Sequence, residues 1–467
     1  MAGVVGVYRG LWRVAWPLAR WWVVRKDTRR CVDLVTISER FGEYARRPAM
    51  ARDGRPTVWI HGASVGECLS ALPLIDYYRS DQCARAGHKR PRVLVSTSTP
   101  TARAVMLQRL NHYPEDQVHC VLAPLDHPAC VGRFFDHWHP TVGIWIESEL
   151  WPNLILEASR RGTRIALMNA RMSPRSFHRW QWPFAYSLIR SVLPKFTFVA
   201  CQTNAIVERF TALGARNVEQ LLNLKLATRS TSVIADTDVA NFRDAIGSRR
   251  CWAAVSTHDG EEALMARVHA ELAHSHQLLT IIVPRHTNRT DAIIEELYRV
   301  NPSLVVCRRS VDRVPAANCN IFICDTMVGA GCGNDPHKRP IRAHDVVCQG
   351  ETELIFQSVG LVVMGGSFGH RGGHNPIEPL RAGCQVIVGP HMDNFDDIMN
   401  ILEAKQRDMN ITALRRVAAA DELSAHVTQA LSFGSCYAST TTTEMVERLA
   451  AQALAQYQQK AQQLLLQ

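Results

Sequence analysis

From residue 57 onward the chain alternates between two textures: short continuous apolar runs rich in Val and Ile, and longer stretches in which apolar residues recur three and four apart. The first texture predicts strands buried on both faces and the second predicts amphipathic helices. Their regular succession predicts an α/β fold with parallel sheets covered on both sides. Strands are expected at Thr57–His61, Arg92–Thr97, Gln117–Ala123, Thr141–Glu147, Thr163–Asn169 and Phe196–Cys201. The texture changes between Asn223 and Arg250, and a second series follows at Cys251–Ser256, Leu278–Pro284, Asn320–Cys324, Leu361–Met364 and Gln385–Gly389. Two series of similar length predict two Rossmann-like, doubly wound domains with a ligand cleft between them. The last stretch, Thr442–Gln467, is rich in Ala, Gln and Leu and predicts a terminal helix. The expected organisation is a basic segment over residues 1–55, domains over 56–225 and 226–440, and the terminal helix over 441–467.

The first segment has a texture of its own. Val4 to Val24 is apolar and Trp-rich but interrupted by Arg9, Arg13 and Arg20. On a helical wheel the three arginines share one narrow face, with Val7, Leu11, Val14, Leu18 and Trp22 opposite. Three arginines are too costly for a membrane span, so the expectation is a helix lying in the interface, its basic face toward lipid head groups, with Pro17 splitting it in two. The plainer reading is a helix packed on the protein's own core. Charge favours the first: the chain carries +10 overall, and residues 1–55 hold twelve Lys and Arg against five Asp and Glu. A basic, Trp-rich end suits an anionic lipid surface rather than nucleic acid. The fourteen cysteines form no CxxC pair, and no cleavable signal peptide precedes them, which reads as reduced thiols in a cytoplasmic protein.

In open α/β sheets ligands bind beyond the carboxyl ends of the strands, so the residues just after each strand are the candidates for chemistry. After the first strand comes Gly62-Ala63-Ser64-Val65-Gly66-Glu67. This is a GxSxG nucleophile elbow in form, and equally a capping box with Ser64 as N-cap and Glu67 reaching back to the Ser64 N–H. After the fourth strand Glu147 and Glu149 fall on one side of an extended segment, either facing the cleft or merely complementing the dipole of the helix that Trp151-Pro152 begins. Asn169-Ala170-Arg171 and Asn223-Leu224-Lys225 also read as solvated loops. In the second series Ser256-Thr257-His258 and Pro284-Arg285-His286 gather histidines and an arginine at one edge. Then Met364–Pro379 gives a strand, a glycine-rich loop and a helix with Asn375 as N-cap, Pro376 at N1 and Glu378 at N3. Glycines let a phosphate approach the backbone, and a helix N-terminus attracts its charge.

The ordered motifs WIHGASVGE, STSTPTA, PLD, IESELWPN, LMNARMSPRS, NLK, STHDGEE, PRHTNR, DTM, GGSFGHRGGHNPIEP and GPHMDNF, collinear from about Phe41 to Phe395, resemble the Kdo transferase family. Those enzymes attach the acidic eight-carbon sugar 3-deoxy-D-manno-octulosonic acid (Kdo) to lipid A, with CMP-Kdo as donor. The resemblance implies a GT-B glycosyltransferase, an inverting transfer without metal or other cofactor, a lipid A precursor as acceptor, and an N-terminal anchor at the cytoplasmic face of the inner membrane. By motif it makes Glu67 the catalytic base, and Glu147 and Lys225 the stabilisers of the transition state. It maps CMP contacts onto Pro284, Arg285, Met327, Gly350, Glu351, Asn375, Pro376, Ile377 and Glu378. It also makes 56–225 the acceptor domain and 226–440 the CMP-Kdo domain. Two departures stand out. Leu222 occupies a place where the family usually has Gly, and Val328–Gln349 interrupts the family's continuous DTMGEL segment as an inserted, exposed loop. Cys332, His337, His344 and Cys348 within it match no common zinc spacing. The competing reading is an α/β-type serine hydrolase using Ser64, which needs a later acid and histidine in a single domain.

Overall fold

The computed structural model describes residues 2–44, 53–85, 90–229, 234–273, 277–326, 349–432 and 440–466. The chain divides into two compact units, Met1–Thr228 with Ala450–Gln467, and Arg229–Leu449.

Unit 1 holds a seven-stranded sheet in the order β3-β2-β1-β4-β5-β6-β7. Its strands are β1 Thr57–Gly62, β2 Arg92–Thr97, β3 Val118–Leu122, β4 Val142–Ile146, β5 Arg164–Ala170, β6 Phe198–Cys201 and β7 Val218–Gln220. The pairs are parallel, with β1 between β2 and β4. Helices cover both faces, so β1 to β4 are buried along their whole length, which is why they read as continuous apolar runs. On one face Trp59 packs against Trp145 at 4.6 Å and Phe134 at 4.8 Å between ring centroids. Burying each such side chain contributes roughly 2 to 3 kcal/mol. The Trp59 indole N–H donates to Ser96 Oγ at 2.7 Å, so its polar atom is satisfied inside the core.

The N-terminal helix α1, Ala2–Arg29, runs unbroken through Pro17. The expected split does not occur because contacts hold the helix on both sides of the proline. Before it, Tyr8 donates to Asp126 and Arg9 to Asn153. After it, Val23 is buried, Arg20 lies over the Phe41 ring, and Asp27 pairs with Arg40 at 2.5 Å. The orientation also differs from expectation. Arg9 and Arg20 turn toward the body of the unit, where they find an amide and a ring, while the opposite stripe of Val7, Leu11, Val14, Leu18, Trp21 and Trp22 is exposed, Val14 to 83%. Asp126 is central to this docking. It is buried, and besides Tyr8 it accepts the N–H groups of Asn153 and Leu154, the first turn of the helix Pro152–Arg160. Burial pushes its carboxyl up to about 7, against the pull of those hydrogen bonds.

Unit 2 repeats the architecture with strands in the order β10-β11-β9-β8-β12-β13-β14. They are β8 Arg250–Thr257, β9 Leu278–Pro284, β10 Val306–Arg308, β11 Ile321–Ile323, β12 Leu361–Met364, β13 Gln385–Val388 and β14 Leu414–Arg416. The strands absent from the sequence reading, β7, β10 and β14, are three-residue edge strands with partly exposed faces, so no apolar run announces them. The last helix, α2, spans Thr440–Leu466; its residues from Ala450 on belong to unit 1, where Ala461 O accepts from Tyr78 and Lys460 pairs with Glu219. Met327 and the cysteines and histidines at 332, 337, 344 and 348 lie outside the described residues.

At the end of β12, Gly365 packs against the end of β8: a Cβ there would stand 2.5 Å from Ser256 O and 2.6 Å from Thr257 Cα. Both are backbone atoms and cannot step aside. Gly365→Ala is therefore expected to destabilise unit 2 by about 3 kcal/mol in urea unfolding. Gly369→Ala, where nothing lies within 4 Å of the added methyl, is expected to leave the midpoint unchanged.

Candidate functional site

In unit 1 the connection reverses direction between β1 and β4, the place where open α/β sheets bind ligands. Both candidate acids emerge there. Gly62, the last residue of β1, lies close to the next helix: a Cβ there would stand 3.1 Å from Cys68 Sγ and 3.2 Å from Cys68 N. Ser64 then caps the helix Val65–Ser70, accepting the Glu67 N–H at 3.3 Å. The Glu67 carboxylate turns back, but one residue further than a capping box predicts. It accepts the N–H of Ala63 at 2.7 Å, not that of Ser64, and takes the Ser64 hydroxyl at 3.0 Å. Burial raises its carboxyl above the usual range; the Ala63 N–H opposes this, and the charges of Glu147 and Glu149 add to it.

Glu147 does not continue an extended segment as expected. It takes the left-handed backbone at φ +65°, with its N–H on Met168 O, and its side chain pairs with Lys225 at 2.7 Å. The bend separates the two acids. Glu149 faces other partners, accepting the Trp151 indole N–H at 2.6 Å and lying 3.9 Å from His61 Nε2. His61 is fully buried, and its Nδ1 meets Ser96 Oγ at 2.9 Å. Burial alone would raise Glu149, yet His61, Trp151 and Ser98 outweigh it and hold the carboxyl below its ordinary value. One edge thus carries a carboxyl pushed up, another pushed down, and a third neutralised by an ammonium.

In unit 2 the corresponding place is the end of β8 beside β12. Ser256 adopts φ +60° at an irregularity in the β8–β9 register, and His258 follows. Glu261, absent from the sequence reading, organises what comes next. Its buried carboxylate accepts three backbone N–H groups: His258 at 2.9 Å, Gly366 at 2.7 Å and Phe368 at 3.1 Å. Two N–H groups that the glycine-rich loop was expected to offer a phosphate are therefore committed to a carboxylate. The available signal was the acid pair Glu261-Glu262, a few residues past the strand end and opening the helix Glu261–Ala273. His258 Nε2 lies 2.9 Å from His374 Nε2. Burial lowers both imidazoles to about 4, helped on His258 by His286, Arg371, Arg285 and Arg289, and on His374 by Arg285, His258 and His286.

The remaining candidates divide. Pro284 ends β9, and Arg285 anchors its N–H on Thr257 O while its guanidinium makes no ion pair among the described residues. Asn375 was expected as N-cap with Pro376 at N1; the helix begins at Ile377, and Pro376 holds the cap position. Asn375 still performs the capping, accepting the Ile377 N–H at 3.1 Å and donating to Glu378 at 3.3 Å. Gly350 and Glu351 lie on the backbone of the helix Gln349–Ser358.

A sequence profile of the 3-deoxy-D-manno-octulosonic-acid transferases matches residues 36–228. A probable mitochondrial 3-deoxy-D-manno-octulosonic acid transferase of Arabidopsis thaliana is 30% identical over 371 residues, covering 78% of this chain and 75% of the relative. The Haemophilus influenzae transferase of the same name is 29% identical over 385 residues, covering 81% and 80%. The chain belongs to the 3-deoxy-D-manno-octulosonic acid transferase family. It is accordingly a glycosyltransferase. Its fold is the GT-B type. A glycosyltransferase from Rickettsia africae superposes with a TM-score of 0.55 at 10% identity, covering 88% of this chain and 99% of that one. Anabaena HepE in complex with UDP does so with 0.52 at 12%, covering 88% and 99%. Nothing in these relatives or in the site favours a serine hydrolase. The Ser64 hydroxyl is engaged with Glu67, and no histidine is its hydrogen-bond partner among the described residues.

The imidazole pair gives a pH prediction with a definite sign. An unfolded histidine takes its proton near pH 6.5 and these two resist it to about 4, so the unfolded state binds more protons in that window. Stability is expected to be full above pH 6.5 and to fall as the pH drops toward 4. Replacing both residues with Gln should flatten that slope in thermal melts taken across the range.

Proposed function

We propose that this transferase moves Kdo from CMP-Kdo to a lipid A precursor in lipopolysaccharide synthesis, with inversion at the anomeric carbon of the sugar. The observation that carries the reading is Glu67: a half-buried carboxylate with a raised pKa, held by the Ala63 N–H and the Ser64 hydroxyl at the switch point of the sheet, in a chain of this family. A raised pKa suits a group that must take a proton at neutral pH.

In this reading Glu67 accepts the proton of the acceptor hydroxyl as its oxygen bonds to the anomeric carbon. The bond from that carbon to the CMP phosphate oxygen breaks, and CMP leaves with the electron pair. The anomeric carbon acquires oxocarbenium character between the two events. Glu147, fixed by Lys225, supplies a carboxylate whose charge is already balanced, so it orients without competing for the proton. On unit 2 the Arg285 guanidinium and the polar groups at Asn375 suit the phosphate of the departing nucleotide, as arginine and aligned backbone donors do for other anions. Base action requires the ionised form of Glu67, so the rate falls as the pH drops through its raised pKa.

Glu67→Gln keeps an oxygen for the Ala63 N–H but cannot take a proton. It is expected to lower transfer at least about a hundred-fold while CMP-Kdo binding stays unchanged. Mass measurement of the lipid product and calorimetry with the donor check the two halves, and normal turnover in the variant would leave Glu67 as a helix cap alone.

The acceptor is amphiphilic and anionic, and we read the exposed stripe of α1 as the surface that meets the bilayer at the cytoplasmic face of the inner membrane. No helix among the described residues is long and apolar enough to cross a membrane. A helix lying in the interface presents such a stripe to the acyl boundary. Val14 and Leu18 are 83% and 74% exposed, so Val14→Glu with Leu18→Glu should change unfolding stability by no more than about 0.5 kcal/mol each. The same variant should lose most of its flotation with vesicles containing anionic phospholipid; unchanged flotation would count against this surface.

A further inference from the structure

The turn that carries Lys225 has almost no hydrogen-bond ladder of its own. After β7 ends at Gln220, the chain forms a single 3-10 turn, Leu224–Ala227. Side chains take up its incoming N–H groups. Gln456 Oε1 accepts from Leu222 at 3.0 Å, Asn169 Oδ1 from Leu224 at 3.0 Å, and Asn223 Oδ1 from Lys225 at 3.0 Å. Gln456 stands on α2, in the part that belongs to unit 1, and its neighbour Tyr457 directs its hydroxyl toward Asn169 Oδ1 at 3.5 Å.

Asn169 is an unusual residue to find at this position. It is fully buried on β5, and its backbone is left-handed at φ +56°. The need for an acceptor toward Leu224 fixes its amide orientation, and this leaves Nδ2 buried with no partner among the described residues. Strain and an unpaired donor at one residue persist where the surroundings hold it for a purpose. The neighbouring Met168 O accepts the Glu147 N–H at 3.0 Å. Two adjacent residues of one strand therefore anchor both partners of the ion pair: Met168 holds the backbone of Glu147, and Asn169 holds the residue before Lys225.

We infer that Asn169 and Gln456 are positioning residues that set the 2.7 Å approach of Lys225 to Glu147, which makes the terminal helix part of the catalytic apparatus of unit 1. The inference rests on the reading of that ion pair as catalytic. It goes further in naming what aims the pair.

The test uses the full-length protein. Asn169→Ala risks unfolding the strand end, so Gln456→Ala, a substitution by a strong helix former on a half-buried face, is the principal variant. Its kcat is expected to fall about tenfold, the effect of one lost hydrogen bond on alignment, while KM for CMP-Kdo stays within about twofold. Acetylation of Lys225 by acetic anhydride, followed by mass spectrometry, should become several times faster as the ammonium leaves Glu147. Gln456→Glu, which keeps an acceptor oxygen, should recover most of both effects. Unchanged kcat together with an unchanged acetylation rate in Gln456→Ala would overturn the inference. Lys225→Ala is measured alongside. If it turns over normally, the catalytic reading of the pair falls, and the acetylation rate still decides whether Gln456 positions the lysine.

Discussion

A strand buried on both faces can show a polar side chain only where it ends, and this constraint shapes both units. β1, β4, β5 and β8 are buried and largely apolar through their middles, and the polar chemistry gathers in their last residues and just beyond them. Aiming a side chain from such an end takes a bend. Three non-glycine residues supply it with left-handed backbones, Glu147 after β4, Asn169 near the end of β5 and Ser256 near the end of β8. Each is held by something else: Met168 O for Glu147, the Leu224 turn for Asn169, and the close approach of Gly365 for Ser256. Backbone strain of this kind costs on the order of 1 to 3 kcal/mol per residue and collects at functional sites.

The acids at the edge of unit 1 are of one chemical type but in three different conditions. Glu67 is raised by burial and by two neighbouring charges; Glu149 is lowered by His61, Trp151 and Ser98 in spite of its burial; Glu147 is matched to an ammonium. Environments that push similar groups apart are how one site assigns separate roles to carboxylates. In unit 2 the logic is inverted. A carboxylate, Glu261, is spent on the backbone, and the groups left around it are imidazoles kept neutral and arginines. That balance suits an anion.

Much of this was legible in the chain because it is written in local patterns. The central strands fell within a residue or two of their predicted bounds, since burial on both faces forces a continuous apolar run. Ser64 and Glu67 showed themselves as a cap and its acid, and Asn375 as a cap, because those contacts span only a few residues. What the sequence does not display depends on distant partners. The three edge strands have too little burial to leave a run, and the partners that Arg9 and Arg20 of α1 find, the Asn153 amide and the Phe41 ring, lie on other elements. Glu261 and Gln456 act on loops more than a hundred residues away, and no spacing in the sequence connects them.

Asp126 gives one of these distant contacts a mechanical meaning. The same carboxylate receives the Tyr8 hydroxyl from α1 and the first free N–H groups of the helix that follows Glu149. Together with the bond from Arg9 to Asn153, it ties the N-terminal helix to the start of the helix that follows two of the acids. Displacing α1 would take from the buried Asp126 carboxylate one of its three donors, the other two lying a few residues past Glu147 and Glu149.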